Sequence, residues 1–144
     1  MESISVFDML KIGVGPSSSH TLGPWRAASR WIDELKTEGH FKNVESITVD
    51  LYGSLSLTGR GHATDVAVML GLSGFDPVTF PIENIDRVIT TITNTEKLRL
   101  NDEIEINFLP KENINFNRKF LEFHPNGITF NAFLKDGAKE SSTF

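Results

Sequence analysis

The sequence predicts an α/β domain of the α+β kind, a mixed sheet packed with helices, and three observations carry that expectation. Leu22 to Glu38 places apolar residues at positions 22, 25, 28, 31, 32 and 35, which is the spacing of one helical face. Ile47, Val49 and Leu51 alternate with polar residues, the two-residue period of a strand. A second helical stripe, Ile82, Ile85, Ile89 and Ile92, is followed by three short strand-like runs at 103–108, 120–124 and 128–134.

The elements follow in order. Ser5-Val-Phe-Asp8 reads as a small cap before a short helix through Leu10, and Lys11 to Thr21 reads as a loop rich in Gly, Pro and Ser. The helix from Leu22 stops near Gly39, a residue suited to the left-handed turn that closes a helix. The strand around Val49 ends near Gly53. A small-residue-rich stretch then leads to a helix from Thr64 to Leu72. Asp136-Gly137 is a tight-turn signal, so Ala138 to Phe144 is expected to pair back as a hairpin strand. The chain stops within that return strand without a polar tail, and Phe144 therefore reads as the end of a fragment. Trp25, Trp31 and the phenylalanines are expected to fill the core.

Composition narrows the function classes. A chain of 144 residues has the size of one ordinary domain, and one this long hides roughly 68–70% of its unfolded surface. A formal net charge of −5, with no run of like charges, gives no electrostatic reason to expect nucleic acid or membrane as a partner. With no cysteine the chain can form no disulfide and offers no thiolate to an iron–sulfur cluster. No basic stretch leading into an apolar run opens the sequence, and no segment approaches the roughly 20 apolar residues of a membrane span. A cytoplasmic protein is the expectation.

Three segments hold residue types suited to chemistry. Gly13-Val-Gly-Pro-Ser-Ser-Ser-His-Thr-Leu-Gly-Pro24 puts Ser17, Ser18, Ser19, His20 and Thr21 just ahead of a helix start. Free N–H groups and the helix dipole favour an anion there, and hydroxyls add donors; a capping loop with spare hydroxyls is the plainer reading. Tyr52-Gly-Ser-Leu-Ser-Leu-Thr-Gly-Arg-Gly-His-Ala-Thr-Asp65 links a strand to a helix. Its Arg60 suits a carboxylate, and His62 can act as a base near neutral pH. A surface turn with a Thr/Asp helix cap is the alternative. His124-Pro-Asn-Gly127 lies between two strands and could be simply a turn, from which His124 and Asn126 would project.

Other motifs are absent. There is no Gly-Lys-Ser/Thr phosphate loop, no His-Glu-x-x-His pair and no Gly-x-Ser-x-Gly elbow. The histidines match no compact ligand spacing, so no metal site is expected in this chain. His40, in a helix-ending stretch with charged neighbours, is expected to be solvated.

Two of the segments together resemble a known family. Ile4-Ser-Val-Phe-Asp-Met-Leu-Lys-Ile-Gly-Val-Gly-Pro-Ser-Ser-Ser-His-Thr-Leu-Gly-Pro24 is similar to the opening of bacterial L-serine dehydratases. Leu51 to Asp65 resembles their second signature, and His124-Pro-Asn-Gly127 sits where the family has His-x-Asn-Gly. The resemblance implies conversion of L-serine to pyruvate and ammonia without pyridoxal phosphate. It also implies a [4Fe-4S] cluster, whose open iron acts as a Lewis acid on the serine hydroxyl, held by cysteines of a following catalytic alpha domain or chain.

This chain would then be the amino-terminal beta domain, 1–144, with a fold like the allosteric substrate-binding (ASB) domain of some phosphoglycerate dehydrogenases. The implied partners are L-serine, the catalytic domain and a second copy in a homodimer. By the family pattern His20, His62 and His124 carry over as catalytic residues. His62 or His20 is expected to handle protons, and Asn126 to hydrogen-bond the substrate. Ser17, Ser18, Ser19, Thr21 and Arg60 are the further substrate-binding candidates.

The sequence departs from the pattern at Arg60, where Lys is common, at Ala63, where Gly is frequent, and at Val66, where Lys is frequent. Arg60 keeps the charge with a different geometry. A non-catalytic regulatory domain that binds a small anion or amino acid is the competing function.

Overall fold

The computed structural model describes residues 15–53, 55, 64–117 and 127–144, with the side chains of 15–21 and of Ile82 excepted. The expected helix through Leu10 and the expected strand at 120–124 lie outside these residues.

Helix α1, Gly15–Thr37, starts seven residues earlier than its apolar stripe predicts and takes in the whole serine run. The Gly/Pro/Ser composition of 11–21 reads as a breaker, but Pro16 falls in the first turn, where its missing N–H is one that no intrahelical acceptor awaits. Pro24 lies inside the helix and cannot give the hydrogen bond that would go to the carbonyl of His20 four residues back. A short 3₁₀ turn at Phe41–Asn43 leads to strand β1, Val44–Tyr52.

Helix α2 is Thr64–Leu72, as the sequence predicts, and is buried all round. Helix α3, Ile85–Thr95, follows a 3₁₀ turn at Ile82–Asn84 and rests on the Ile85 and Ile92 face. The antiparallel hairpin β2, Lys97–Leu100, and β3, Ile104–Asn107, comes next. The chain continues through the one-turn helix α4, Pro110–Asn113, and strand β4, Ile114–Asn117. It ends with β5, Ile128–Leu134, and β6, Lys139–Thr143, the expected hairpin. At its turn the Gly137 N–H donates to the Leu134 carbonyl and Asp136 Oδ1 accepts from the Ala138 N–H.

The larger sheet has the order β4-β1-β5-β6 and is mixed: β4 runs parallel to β1, whereas β5 and β6 are antiparallel to their neighbours. Its two faces differ. Ile47, Val49 and Leu51 pair with Ala132, Phe130 and Ile128 on a fully buried face. Trp31 of α1 stacks on Phe130 there, with ring centroids 5.0 Å apart.

The opposite face is a polar ladder. Asn115 donates to Asp50, Asn131 donates to both Thr48 and Asp50, and Ser141 donates to Asn131. The central strands β1 and β5 therefore alternate between an apolar face and a hydrogen-bonded one, and their register is fixed because a one-residue slip would exchange the two. A smaller cluster beside the main core holds Trp25, Val66, Ala67, Leu70 and Ile85. Trp25 Nε1 donates to the Phe75 carbonyl at 2.7 Å, so the indole buries its only polar atom satisfied.

α1 and α2 meet at Gly71. A Cβ there would overlap the Trp25 carbonyl oxygen and lie 2.8 Å from Ala28 Cβ. Only the missing side chain lets the two helix backbones come this close.

Candidate functional site

The ends of the sequence-predicted segments converge on one end of the sheet. Tyr52, the last residue of β1, is the parallel partner of Asn117, the last residue of β4. The Tyr52 N–H donates to the carbonyl of Gly127, just before β5 begins. Residues 53–63 leave from this point toward α2, and residues 118–126 leave from Asn117 and return at Gly127. The two stretches that contain Arg60, His62, His124 and Asn126 are thus anchored side by side. Those four residues themselves lie outside the described residues.

The direction of α1 brings the third segment to the same end. His40 beyond its carboxyl end faces Glu140, Glu34 Oε1 accepts from Ser142 Oγ at 3.1 Å, and the Arg30 guanidinium sits 5.4 Å from the Phe144 ring centroid. As numbers fall along α1 they rise along β6, which runs the same way as β1. α1 is therefore antiparallel to β1, and its amino terminus points past the Tyr52 end. Ser17 to Thr21 lie 9–13 residues before Arg30, about 14–20 Å further along the axis at 1.5 Å per residue. Ser17, Ser18, Ser19, His20 and Thr21 belong to the first turns of the helix, not to a loop ahead of it.

The carboxyl end of the second segment is buried. Thr64 is 0% and Asp65 3% exposed at the start of α2. Asp65 Oδ1 accepts from the Val66 N–H at 3.0 Å. A carboxylate in the first turn of a helix faces the positive end of the dipole. Asp65 thereby ties down the start of α2. Tyr52 and Asn117, both half-buried, end the paired strands from which the two segments leave; sequence reasoning gave Tyr52 only as the start of a segment and did not single out Asn117. β4 offers only Ile114 and Phe116 as alternating apolar residues, too few to reveal it.

A family model described as serine dehydratase beta chain matches residues 5–144. The chain belongs to the serine dehydratase beta chain family. It is 45% identical to the L-serine dehydratase of Haemophilus influenzae over 130 residues, covering 90% of this chain and 29% of that protein. It is 41% identical to L-serine dehydratase 1 of Escherichia coli over 142 residues, 98% of this chain and 31% of the relative. The L-serine dehydratase of Streptomyces coelicolor is 44% identical over 138 residues, 95% of this chain and 30% of its own length. The chain thus spans about three-tenths of each of these relatives. Among the described residues no helix is long and apolar enough to cross a membrane.

Proposed function

We propose that the chain is the amino-terminal beta domain of an L-serine dehydratase, whose intact form releases pyruvate and ammonia from L-serine. The observation that carries this reading is the anchoring of the Leu51–Asp65 and His124–Gly127 segments at Tyr52, with α1 pointing to the same end.

Serine carries a carboxylate, an ammonium group and a hydroxyl. Deamination begins with removal of a weakly acidic Cα proton and departure of the hydroxyl as water. The resulting enamine tautomerises and hydrolyses. In this reading the N–H groups and hydroxyls of the first turns of α1, with Arg60, meet the carboxylate. Asn126 hydrogen-bonds the substrate. His62 or His20 takes the proton, imidazole being the side chain whose ordinary pKa suits a base near neutral pH.

The donor set of the chain does not fit an iron–sulfur cluster, because it contains no cysteine. The cluster expected of the family would be held by a catalytic alpha domain or chain outside these residues.

The test uses the full-length protein purified anaerobically. His62→Ala is expected to lower kcat for pyruvate release by about 10²–10⁴-fold, the usual contribution of a positioned acid or base, while the cluster absorption persists. A His62→Ala enzyme with full activity would remove His62 from the proposal. A full-length protein with neither cluster nor serine-dependent pyruvate would remove the proposal itself.

A further inference from the structure

A cluster of partly exposed residues away from this end of the sheet has the composition of a cation site. Glu38, His40 and Glu140 bring one ligand atom each to within 4.8 Å of one another. Local sequence spacing does not reveal the group, because Glu140 arrives from β6 across the fold.

The carboxyl end of α1 fixes two of the three. The Gly39 N–H donates to the Lys36 carbonyl at 3.1 Å and the His40 N–H to the Leu35 carbonyl at 2.8 Å, the paired bonds of a Schellman cap. Gly39 sits at φ +81°, the left-handed turn such a cap requires. His40 is thus held beside the helix end by its own backbone, and β6 presents Glu140 to it.

Three features point to a metal ion. First, His40 Nε2 and Glu140 Oε2 are 3.6 Å apart. That is too long for a hydrogen bond, but tetrahedral bonds of about 2.0–2.2 Å to one ion separate neighbouring ligand atoms by roughly 3.3–3.6 Å. Second, among the described residues no lysine or arginine forms an ion pair with Glu38 or Glu140. Lys36 is taken by Glu103, and Lys139 lies over the Phe133 ring. Third, the carboxylates stand at the negative end of the α1 dipole, which adds to their mutual repulsion and favours a cation.

We propose that Glu38, His40 and Glu140 form a binding site for a divalent transition ion of the zinc type. One imidazole nitrogen and two carboxylate oxygens suit such an ion, with the remaining position left to water. The ion ties the end of α1 to the edge strand β6.

The experiment uses the tag-free chain. Zn²⁺ is titrated calorimetrically, and Co²⁺ is followed by its visible absorption and by paramagnetic shifts of the His40 and Glu140 amides. One equivalent is expected to bind, to raise the melting temperature and to shift those two amides first. His40→Ala and Glu140→Gln are each expected to weaken binding on the order of tenfold or more, and Glu45→Gln, an exposed carboxylate on β1, to leave it unchanged. Metal-free melting curves check that each variant folds, and Glu38→Gln replaces any that does not. Absence of binding up to about 1 mM ion, or equal affinity in wild type and both site variants, overturns the proposal.

Discussion

The backbone N–H of Tyr52 donates to the carbonyl of Gly127 at 3.0 Å, so the strand end that launches one signature segment is bonded to the residue that closes the other. Tyr52→Pro removes that donor and places a proline between two paired strands. The expected cost is about 1–3 kcal/mol from the orphaned acceptor, with more from the distorted ladder. Chemical denaturation reads it. Amide exchange at Ile128 and Phe144, which bond each other at the same sheet end, should speed up in parallel.

Gly71→Ala should destabilise the fold although alanine is the better helix former. The helix-propensity gain is about 1 kcal/mol, whereas overpacking a tight contact costs about 1–3 kcal/mol or more. Here the obstacle is the Trp25 main chain, which cannot swing aside as a side chain can. A net loss of about 1–2 kcal/mol is expected from a shift in the urea midpoint. A variant more stable than wild type would show that the helices can separate at no cost.

Trp31→Ala removes the ring that stacks on Phe130 and joins α1 to the centre of the sheet. Both rings are almost fully buried. The loss should fall in the range of about 3–5 kcal/mol for truncating a large aromatic in a core, measured by equilibrium unfolding.

The Glu103 carboxyl is held below its ordinary pKa, first by the hydrogen bond from Lys36 and then by that from Asn101. A folded-state pKa below the unfolded one gives stability that is present above the unfolded value, near pH 4, and lost as pH falls through the folded value. The pair is exposed, so the effect is small and weakens with salt. Glu103→Gln should flatten the acid limb of the melting temperature between about pH 5 and pH 3, and added salt should narrow the difference from wild type.

The 144-residue chain alone should release no pyruvate from L-serine in an assay coupled to lactate dehydrogenase, and reconstitution with iron and sulfide should leave no cluster absorption. Pyruvate release by the isolated chain would contradict the proposed division between beta and catalytic domains.

Much of the fold was legible because each element carried a strong periodic signal. Ile47, Val49 and Leu51 announced β1, the isoleucines at 85, 89 and 92 announced α3, and Asp136-Gly137 announced the last hairpin. The start of α1 was misread because glycine, proline and serine mark both loops and first turns, and only the position of Pro16 separates the two. β2 and β4 went unseen because each offers only two alternating apolar residues, Leu98 and Leu100 or Ile114 and Phe116, whereas Ile104, Ile106 and Phe108 gave the β3 run three. For the candidate site, the sequence named the segments but not their meeting point. That point is set by the parallel pairing of β1 with β4, which no local pattern encodes. The Glu38, His40 and Glu140 group was invisible for the same reason.

The polar ladder has a consequence in time. Asn131 reaches Asp50 across 81 residues of sequence, and the central pair of the sheet, β1 with β5, depends on contacts of that range. Closing so long a loop must precede the contacts that stabilise it, and its entropic cost grows with loop length. A ribosome must deliver the chain through β5 before β1 can find its antiparallel neighbour. Until then the β1 edge that bonds β5 stays unpaired, an open strand edge that a chaperone would keep from aggregating.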